Sequence, residues 1–341
     1  MKQVMEYQAA STEGIRLNAN ESSLNLSEEI RSEIASAVMG IEYNRYPDDE
    51  ETELLNAYAE VSGMKAEELL AGNGSDQMLG LLIGHYLGKG KTLLTLDPDF
   101  SMYDYYASAY EADVKKYDTN DDGSFDMEDF IEYAKDLKPD MILFSNPNNP
   151  TGWLVSQEEL EQLAKAFCKI PVIADEAYIE FAGVPSCAPL VRTYENFFVT
   201  RTLSKAYSMA GVRVGFLIGN VKQMRILKAS KVPYALSAVS MVIAKVVLKH
   251  AAEFQTAASA TIQRREAMLE KLSSMERAEF YPSNTNFIFG RSDDKQELLD
   301  LFEEAGITIR NYDNDSFRIT IGTEAENKAV LKVLQEFEQE G

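Results

Sequence analysis

Between Leu69 and Ile218 short apolar runs alternate with amphipathic stretches. Leu69-Leu-Ala71, Thr92 to Leu96, Met141 to Phe144, Pro171 to Ala174, Asn196 to Thr200 and Val214 to Ile218 carry apolar residues at successive positions, as strands buried on both faces do. Val114-Lys-Lys-Tyr117 also reads as strand. Helical periodicity fills most of the intervals, over Gln77 to Tyr86, Met102 to Tyr110, Met127 to Leu137 and Gln157 to Phe167. This alternation predicts an α/β fold, a mostly parallel seven-stranded-type sheet covered by helices. Ligands of such sheets collect at the carboxyl ends of strands, so the residues just after each run carry the functional signal.

The flanks are organised differently. Ahead of the sheet lie helical patterns over Ser27 to Met39, with Ser27 as a capped start, and over Glu51 to Val61; between them Pro47 forces Tyr46 toward an extended conformation. Behind it, Val239 to Ser273 is helical throughout. Strand Asn286 to Phe289, helix Lys295 to Ala305, strands Ile307 to Arg310 and Phe317 to Ile321, and a last helix Glu324 to Glu338 then predict a smaller α+β domain. The expected division is an arm and part of the small domain over 1–45, a large domain over 46–235 and a C-terminal small domain over 236–341.

Composition narrows the function classes. A chain of 341 residues with 45% hydrophobic content can bury two cores. Its formal net charge of -22 disfavours a nucleic-acid partner. The two cysteines, Cys168 and Cys187, form neither a disulfide ladder nor a zinc motif, which fits a reducing compartment. Met1 to Ala10 lacks the basic start and apolar block of a signal peptide, and Val239 to Leu248 is too short to span a bilayer, so a cytoplasmic location without membrane contact is expected.

Several strand ends carry candidate chemistry. Ala71-Gly-Asn-Gly-Ser-Asp76 opens a helix, and its amides could hold a phosphate against the helix dipole, although a tight capped turn has the same look. Asn146-Pro-Asn-Asn-Pro-Thr-Gly152 is a rigid polar turn presenting Asn149. Asp175 ends a strand with Tyr178 three residues on, and a buried carboxylate there needs a cationic partner. Lys205 follows Asn196 to Thr200 and precedes Gly-Val-Arg-Val-Gly215; alone it reads as a solvated charge. Asp118 to Asp129 imitates a calcium loop but ends on Asp129 instead of glutamate and follows a strand, so it reads as an acidic turn and no metal is expected. His85 and His250 have no companion ligands in their helical patterns.

A strand-end lysine, a strand-end aspartate, a nearby tyrosine, a rigid asparagine and a phosphate-accepting turn are together what pyridoxal 5′-phosphate demands. In this joint order the chain resembles the fold-type I pyridoxal-phosphate aminotransferases, most closely the histidinol-phosphate aminotransferases among them. The resemblance covers about Arg16 to Thr323. It rests on Leu17-Asn-Ala-Asn-Glu21, Asn44-Arg-Tyr-Pro-Asp48, Gly72-Asn-Gly-Ser-Asp76, Asn146 to Gly152, Asp175-Glu-Ala-Tyr178, Arg201 to Ala206 with Ala210-Gly-Val-Arg213, and Arg318-Ile-Thr-Ile-Gly-Thr323.

The resemblance implies an aspartate-aminotransferase-like large domain and a homodimer acting on a small amine and a 2-oxo acid. It implies Lys205 as the Schiff-base lysine, Asp175 as partner of the pyridine nitrogen, and Tyr178 with Asn149 as donors to the ring's phenolic oxygen. Ser75, Asp76, Thr202, Ser204 and Arg213 would surround the phosphate, with Tyr46 reaching it from the other subunit. Phe100 occupies the ring-stacking place, with Tyr103 as its rival, and Arg310 and Arg318 would bind the substrate's acidic group. Gln77 stands where many relatives carry glutamate, and Ser22 where histidinol-phosphate enzymes carry asparagine or tyrosine. A threonine-phosphate decarboxylase or an aromatic amino-acid aminotransferase would share the same cofactor shell.

Overall fold

A computed structural model describes residues 14–339. From the amino end the chain forms β1 (Ile15–Leu17), α1 (Glu28–Met39), α2 (Thr52–Ser62), β2 (Leu69–Gly72), α3 (Ser75–Tyr86), β3 (Thr92–Asp97) and α4 (Met102–Ala109). It continues through β4 (Asp113–Asp118), α5 (Met127–Leu137), β5 (Met141–Ser145), α6 (Gln157–Ala166), β6 (Val172–Asp175), β7 (Phe197–Thr202), β8 (Gly215–Gly219) and α7 (Val221–Ser230). The carboxyl-terminal part holds α8 (Ala238–Lys249), α9 (Ala251–Leu272), β9 (Glu279–Phe280), β10 (Phe287–Arg291), α10 (Lys295–Glu304), β11 (Ile307–Asn311), β12 (Ser316–Thr320) and α11 (Glu324–Gln339).

Seven strands form the large sheet in the order β2-β8-β7-β6-β5-β3-β4. All pairs are parallel except those of β8, which runs antiparallel to both β2 and β7. Alternate residues of each strand serve opposite faces: Leu93, Leu143, Ile173 and Phe198 pack into one core, Leu94, Ile142, Phe144 and Val172 into the other. That two-sided burial is why the strands read as unbroken apolar runs. β6 starts at Val172, since Pro171 has no N–H to give to the ladder.

The small sheet has the order β1-β11-β12-β10-β9 over a core of Ile288, Phe302, Phe317, Ile319, Val330 and Phe337. β1 pairs in parallel with β11, which ties the amino-terminal segment to the small domain. At three and two residues, β1 and β9 are too short to show a period. The helical stretch after Ser237 is two helices that meet at His250, whose ring lies between Glu33 and Glu253 at 2.9 and 3.0 Å. α8 rests on α1 and α2, and Met241, Val247, Phe254 and Ala258 belong to the large core, whereas the small core begins at Met268. α9 therefore contributes side chains to both cores, its first half to the large one and its last turns to the small one. Among the described residues no helix is long and apolar enough to cross a membrane.

One close approach fixes the site's floor. Gly215 pairs with Gly72 on one side and with Thr202 on the other. A Cβ on Gly215 would stand 2.1 Å from the Ser75 amide nitrogen, so only glycine lets β8 lie beneath the turn that opens α3. Gly215→Ala should lower stability by about 1–3 kcal/mol in urea unfolding, as overpacked sites do, and should weaken anion binding at the turn. Wild-type behaviour in both measurements would show that the turn moves freely.

Candidate active site

α3 starts at Ser75 with Gly74 as its N-cap, and no side chain caps that end. Its first amides are therefore open at the positive end of the helix dipole. Just ahead, the Asn73 N–H donates to Gln77 Oε1 at 2.6 Å. An amide oxygen holds the turn as a carboxylate would, without negative charge beside an anion. Arg213 closes the cup, donating from Nη2 to Asp76 at 2.6 Å and from Nη1 to Ser204 Oγ at 3.2 Å. Its own carbonyl accepts the Gly74 N–H at 3.1 Å. Thr202 Oγ1 accepts the Ser204 N–H at 3.1 Å. The structure thus brings Ser75, Asp76, Thr202, Ser204 and Arg213 together around one open helix end, a donor set that fits a phosphate.

Parallel register sets the next group, because Ser145, Asp175 and Thr200 stand side by side at the ends of β5, β6 and β7. Asp175 is 3% exposed, and its two oxygens accept from Thr200 Oγ1 at 2.7 Å and from Tyr103 OH at 2.9 Å. Among the described residues it has no ion-pair partner. Burial pushes its carboxyl up to about 6, against the stabilising pull of the two hydroxyls. A protonated ring nitrogen would supply the missing cation.

Opposite this carboxylate the amino-terminal segment crosses the site. Lys205 Nζ donates to the carbonyl of Ala19 at 2.8 Å, and Arg318 Nη2 donates to the carbonyl of Asn18 at 2.9 Å. Burial, with the nearby charge of Arg318, brings the Lys205 amine down to about 8. Arg318 is 6% exposed, bonds Asn149 Oδ1 through Nη1, faces the Phe287 ring, and leaves Nε without a partner. It too lacks a counter-ion among the described residues. Asn149 spends Oδ1 on Arg318 and so keeps its amide N–H groups available. Tyr178 OH accepts from Asn20 Nδ2 at 2.9 Å, which leaves its proton to donate; burial raises its pKa.

Tyr103, Arg310 and Tyr46 sit in different surroundings. Tyr103 is fully buried with its hydroxyl on Asp175, and half-buried Phe100 meets it edge-on at 5.6 Å. Arg310 sits directly across the sheet from Arg318, yet its head is exposed and lies over the Tyr312 ring. Tyr46 is 82% exposed, stacks on Tyr234 and lines a groove with Met241 and Lys245. The acidic loop spreads its carboxylates: Asp122 accepts the Ser124 N–H, Asp126 caps α5 and Asp121 pairs with Arg291. Thr200 and Asn20 were not singled out by sequence. Only register with Asp175 reveals Thr200, and only the fold brings Asn20 to Tyr178.

Residues 12–334 match the family described as aminotransferase class I and II. The chain belongs to the class I and II aminotransferases. A histidinol-phosphate aminotransferase of Clostridium novyi is 33% identical over 94% of this chain and 91% of its own length. Among solved structures, histidinol-phosphate aminotransferase from Sinorhizobium meliloti in complex with pyridoxal-5′-phosphate superposes with a TM-score of 0.85, covering 95% of this chain and 92% of that one at 21% identity. L-threonine-O-3-phosphate decarboxylase from Porphyromonas gingivalis gives 0.82, covering 95% and 99% at 22% identity, a likeness of fold. This aminotransferase uses pyridoxal 5′-phosphate, and the unpaired Asp175, the open α3 end and the half-buried Lys205, its amine brought down to about 8, fit that group.

Holding Asp175 ready has a consequence for the cofactor-free protein. Its carboxyl is raised from an ordinary 3.8 to about 6, so the proton it binds more tightly when folded stabilises fully below the lower value. That contribution is lost as pH rises through about 6. Asp175→Asn should therefore make the cofactor-free protein more stable than wild type by about 1–2 kcal/mol at pH 7.5 in urea, while cofactor affinity falls. Equal stability at that pH would place the charge of Asp175 in a well-solvated setting.

Proposed function

We propose that the enzyme transfers the amino group of L-histidinol phosphate to 2-oxoglutarate, giving imidazole acetol phosphate and L-glutamate, a step of histidine biosynthesis. One observation carries this reading: the Lys205 amine and the unpaired Arg318 guanidinium bond successive carbonyls, Ala19 and Asn18, of the same segment. Successive residues are about 3.8 Å apart, so a small amine whose acidic group engages Arg318 presents its α-carbon to Lys205. The 33% identity to a histidinol-phosphate aminotransferase supports the choice of amine.

When bound, pyridoxal 5′-phosphate supplies an electron sink for charge developed at the substrate's α-carbon. Asp175 would hold the ring nitrogen's proton, with Thr200 and Tyr103 fixing the carboxylate. Tyr178, steadied by Asn20, and Asn149, steadied by Arg318, would donate to the ring's phenolic oxygen. Phe100 would cover one ring face. Lys205, neutral in mildly alkaline solution, would be the base that accepts the substrate's α-proton at Nζ. Arg318 binds the acidic group that the amine and the 2-oxo acid share, and Arg310 reaches it once swung from Tyr312.

The same reading includes a homodimer in the cytoplasm. Met39, Tyr43, Tyr46, Val232 and Tyr234 are exposed at 47% or more, an aromatic and apolar surface that a second copy would cover. Tyr46 would then reach the phosphate of the partner's site.

Lys205→Ala should abolish the visible absorbance of bound cofactor and nearly all turnover; a variant retaining both would remove the core of the mechanism. A panel of histidinol phosphate, aromatic amino acids and threonine phosphate, scored for keto product and for carbon dioxide, should give keto product fastest from histidinol phosphate. Carbon dioxide from threonine phosphate would instead identify a decarboxylase. Arg318→Ala should raise KM for the phosphorylated donor about 10²-fold with little change in the cofactor spectrum, whereas equal damage to both would tie Arg318 to the cofactor.

A further inference from the structure

The loop between β3 and α4 contains a second desolvated carboxyl group, Asp99, with no role in the chemistry above. It gathers donors from three places. Its oxygens accept the Ser145 hydroxyl at 2.5 Å, the Ser145 N–H at 3.2 Å, the Phe100 N–H at 2.7 Å and the Thr95 hydroxyl at 3.3 Å. Ser145 Oγ in turn accepts the Asn149 N–H at 2.9 Å. A hydroxyl has a single proton, so accepting from Asn149 while donating to Asp99 commits both of its roles and leaves it one orientation.

Two cofactor contacts proposed above therefore meet at one side chain. Phe100, which covers the ring face, is held by its own amide, and Asn149, which addresses the ring edge, is held through Ser145. We infer that Asp99 is a positioning residue which locks Phe100 and Asn149 into a single arrangement around the cofactor ring. Its electrostatics suit that role. Burial, aided by the charge of Asp175, pushes the Asp99 carboxyl up to about 8 while Asp175 stands at about 6. Near neutrality Asp99 then accepts hydrogen bonds without adding a second full charge beside the anion that faces the ring nitrogen.

The inference rests on the assignment of Phe100 and Asn149 to the cofactor, and the test separates the two. Cofactor-free wild type, Asp99→Ala, Asp99→Asn, Ser145→Ala and the Asp99→Ala/Ser145→Ala double variant are titrated with pyridoxal 5′-phosphate. Fluorescence gives Kd, visible circular dichroism per bound cofactor reports ring orientation, and a thermal midpoint is taken before loading. Asp99→Ala and Ser145→Ala should each raise Kd about tenfold or more and diminish the dichroism, since each breaks a buried hydrogen-bonded chain. Asp99→Asn keeps an acceptor oxygen and should stay within about threefold of wild type. The double variant should be no worse than about threefold beyond the weaker single one, because both cut the same chain. Should Asp99→Ala not fold, Ser145→Ala carries the same expectation with Asp99 in place. Wild-type Kd and dichroism in Ser145→Ala, multiplied losses in the double variant, or an Asp99→Asn as damaged as Asp99→Ala would overturn the inference. If wild type itself binds no cofactor, the proposed function fails first.

Discussion

Two buried charges without counter-ions among the described residues, the carboxylate of Asp175 and the guanidinium of Arg318, are the constraint around which the molecule is built. Each is unfavourable in isolation, since desolvation of an unpaired ion outweighs what neutral hydrogen bonds return. They persist because the fold over-determines them. Asp175 is fixed by strand register and two hydroxyls, Arg318 by Asn149, the Asn18 carbonyl and the Phe287 ring. In the proposed function a ring cation would relieve the first and an acidic substrate the second, so that ligand binding would remove strain that folding leaves in place.

The amino-terminal segment joins these two ends. β1 belongs to the small sheet, and the residues after it run between the two sheets, where Asn18 accepts from Arg318 of the small sheet and Ala19 from Lys205, which follows β7 of the large one. Asn20 bonds Thr320 and Asn286 of the small domain and reaches Tyr178 of the large one. It adopts a positive φ of 53°, a conformation asparagine tolerates better than most residues. A displacement of the small domain would thus be felt at the lysine, the tyrosine and the arginine together, which gives substrate binding a direct mechanical route to the cofactor's surroundings.

Much of this was legible in the sequence. The apolar runs located the central strands because burial on both faces leaves few polar positions, and Asp175 and the turn around Ser75 lie at ends of those strands as expected. What stayed hidden depended on register or on long-range contact. Thr200 is an ordinary strand residue until β7 aligns it with Asp175, and Tyr103 looks like a stacking ring until its hydroxyl is seen spent on that carboxylate. The double duty of α9 was hidden for a related reason, since one helix serves two cores without any change in its pattern. Arg310 and Arg318 are equivalent as sequence and unequal in space, one exposed and one buried.

The central claim is that the Lys205 amine is the group that holds the cofactor's aldehyde carbon. Reducing the loaded enzyme with borohydride and mapping its peptides by mass spectrometry tests this directly. The account predicts one cofactor-derived mass per chain, carried by the peptide that contains Lys205 and assigned to that residue by fragmentation. Attachment to any other lysine, or loaded enzyme that yields only unmodified peptides, would contradict it.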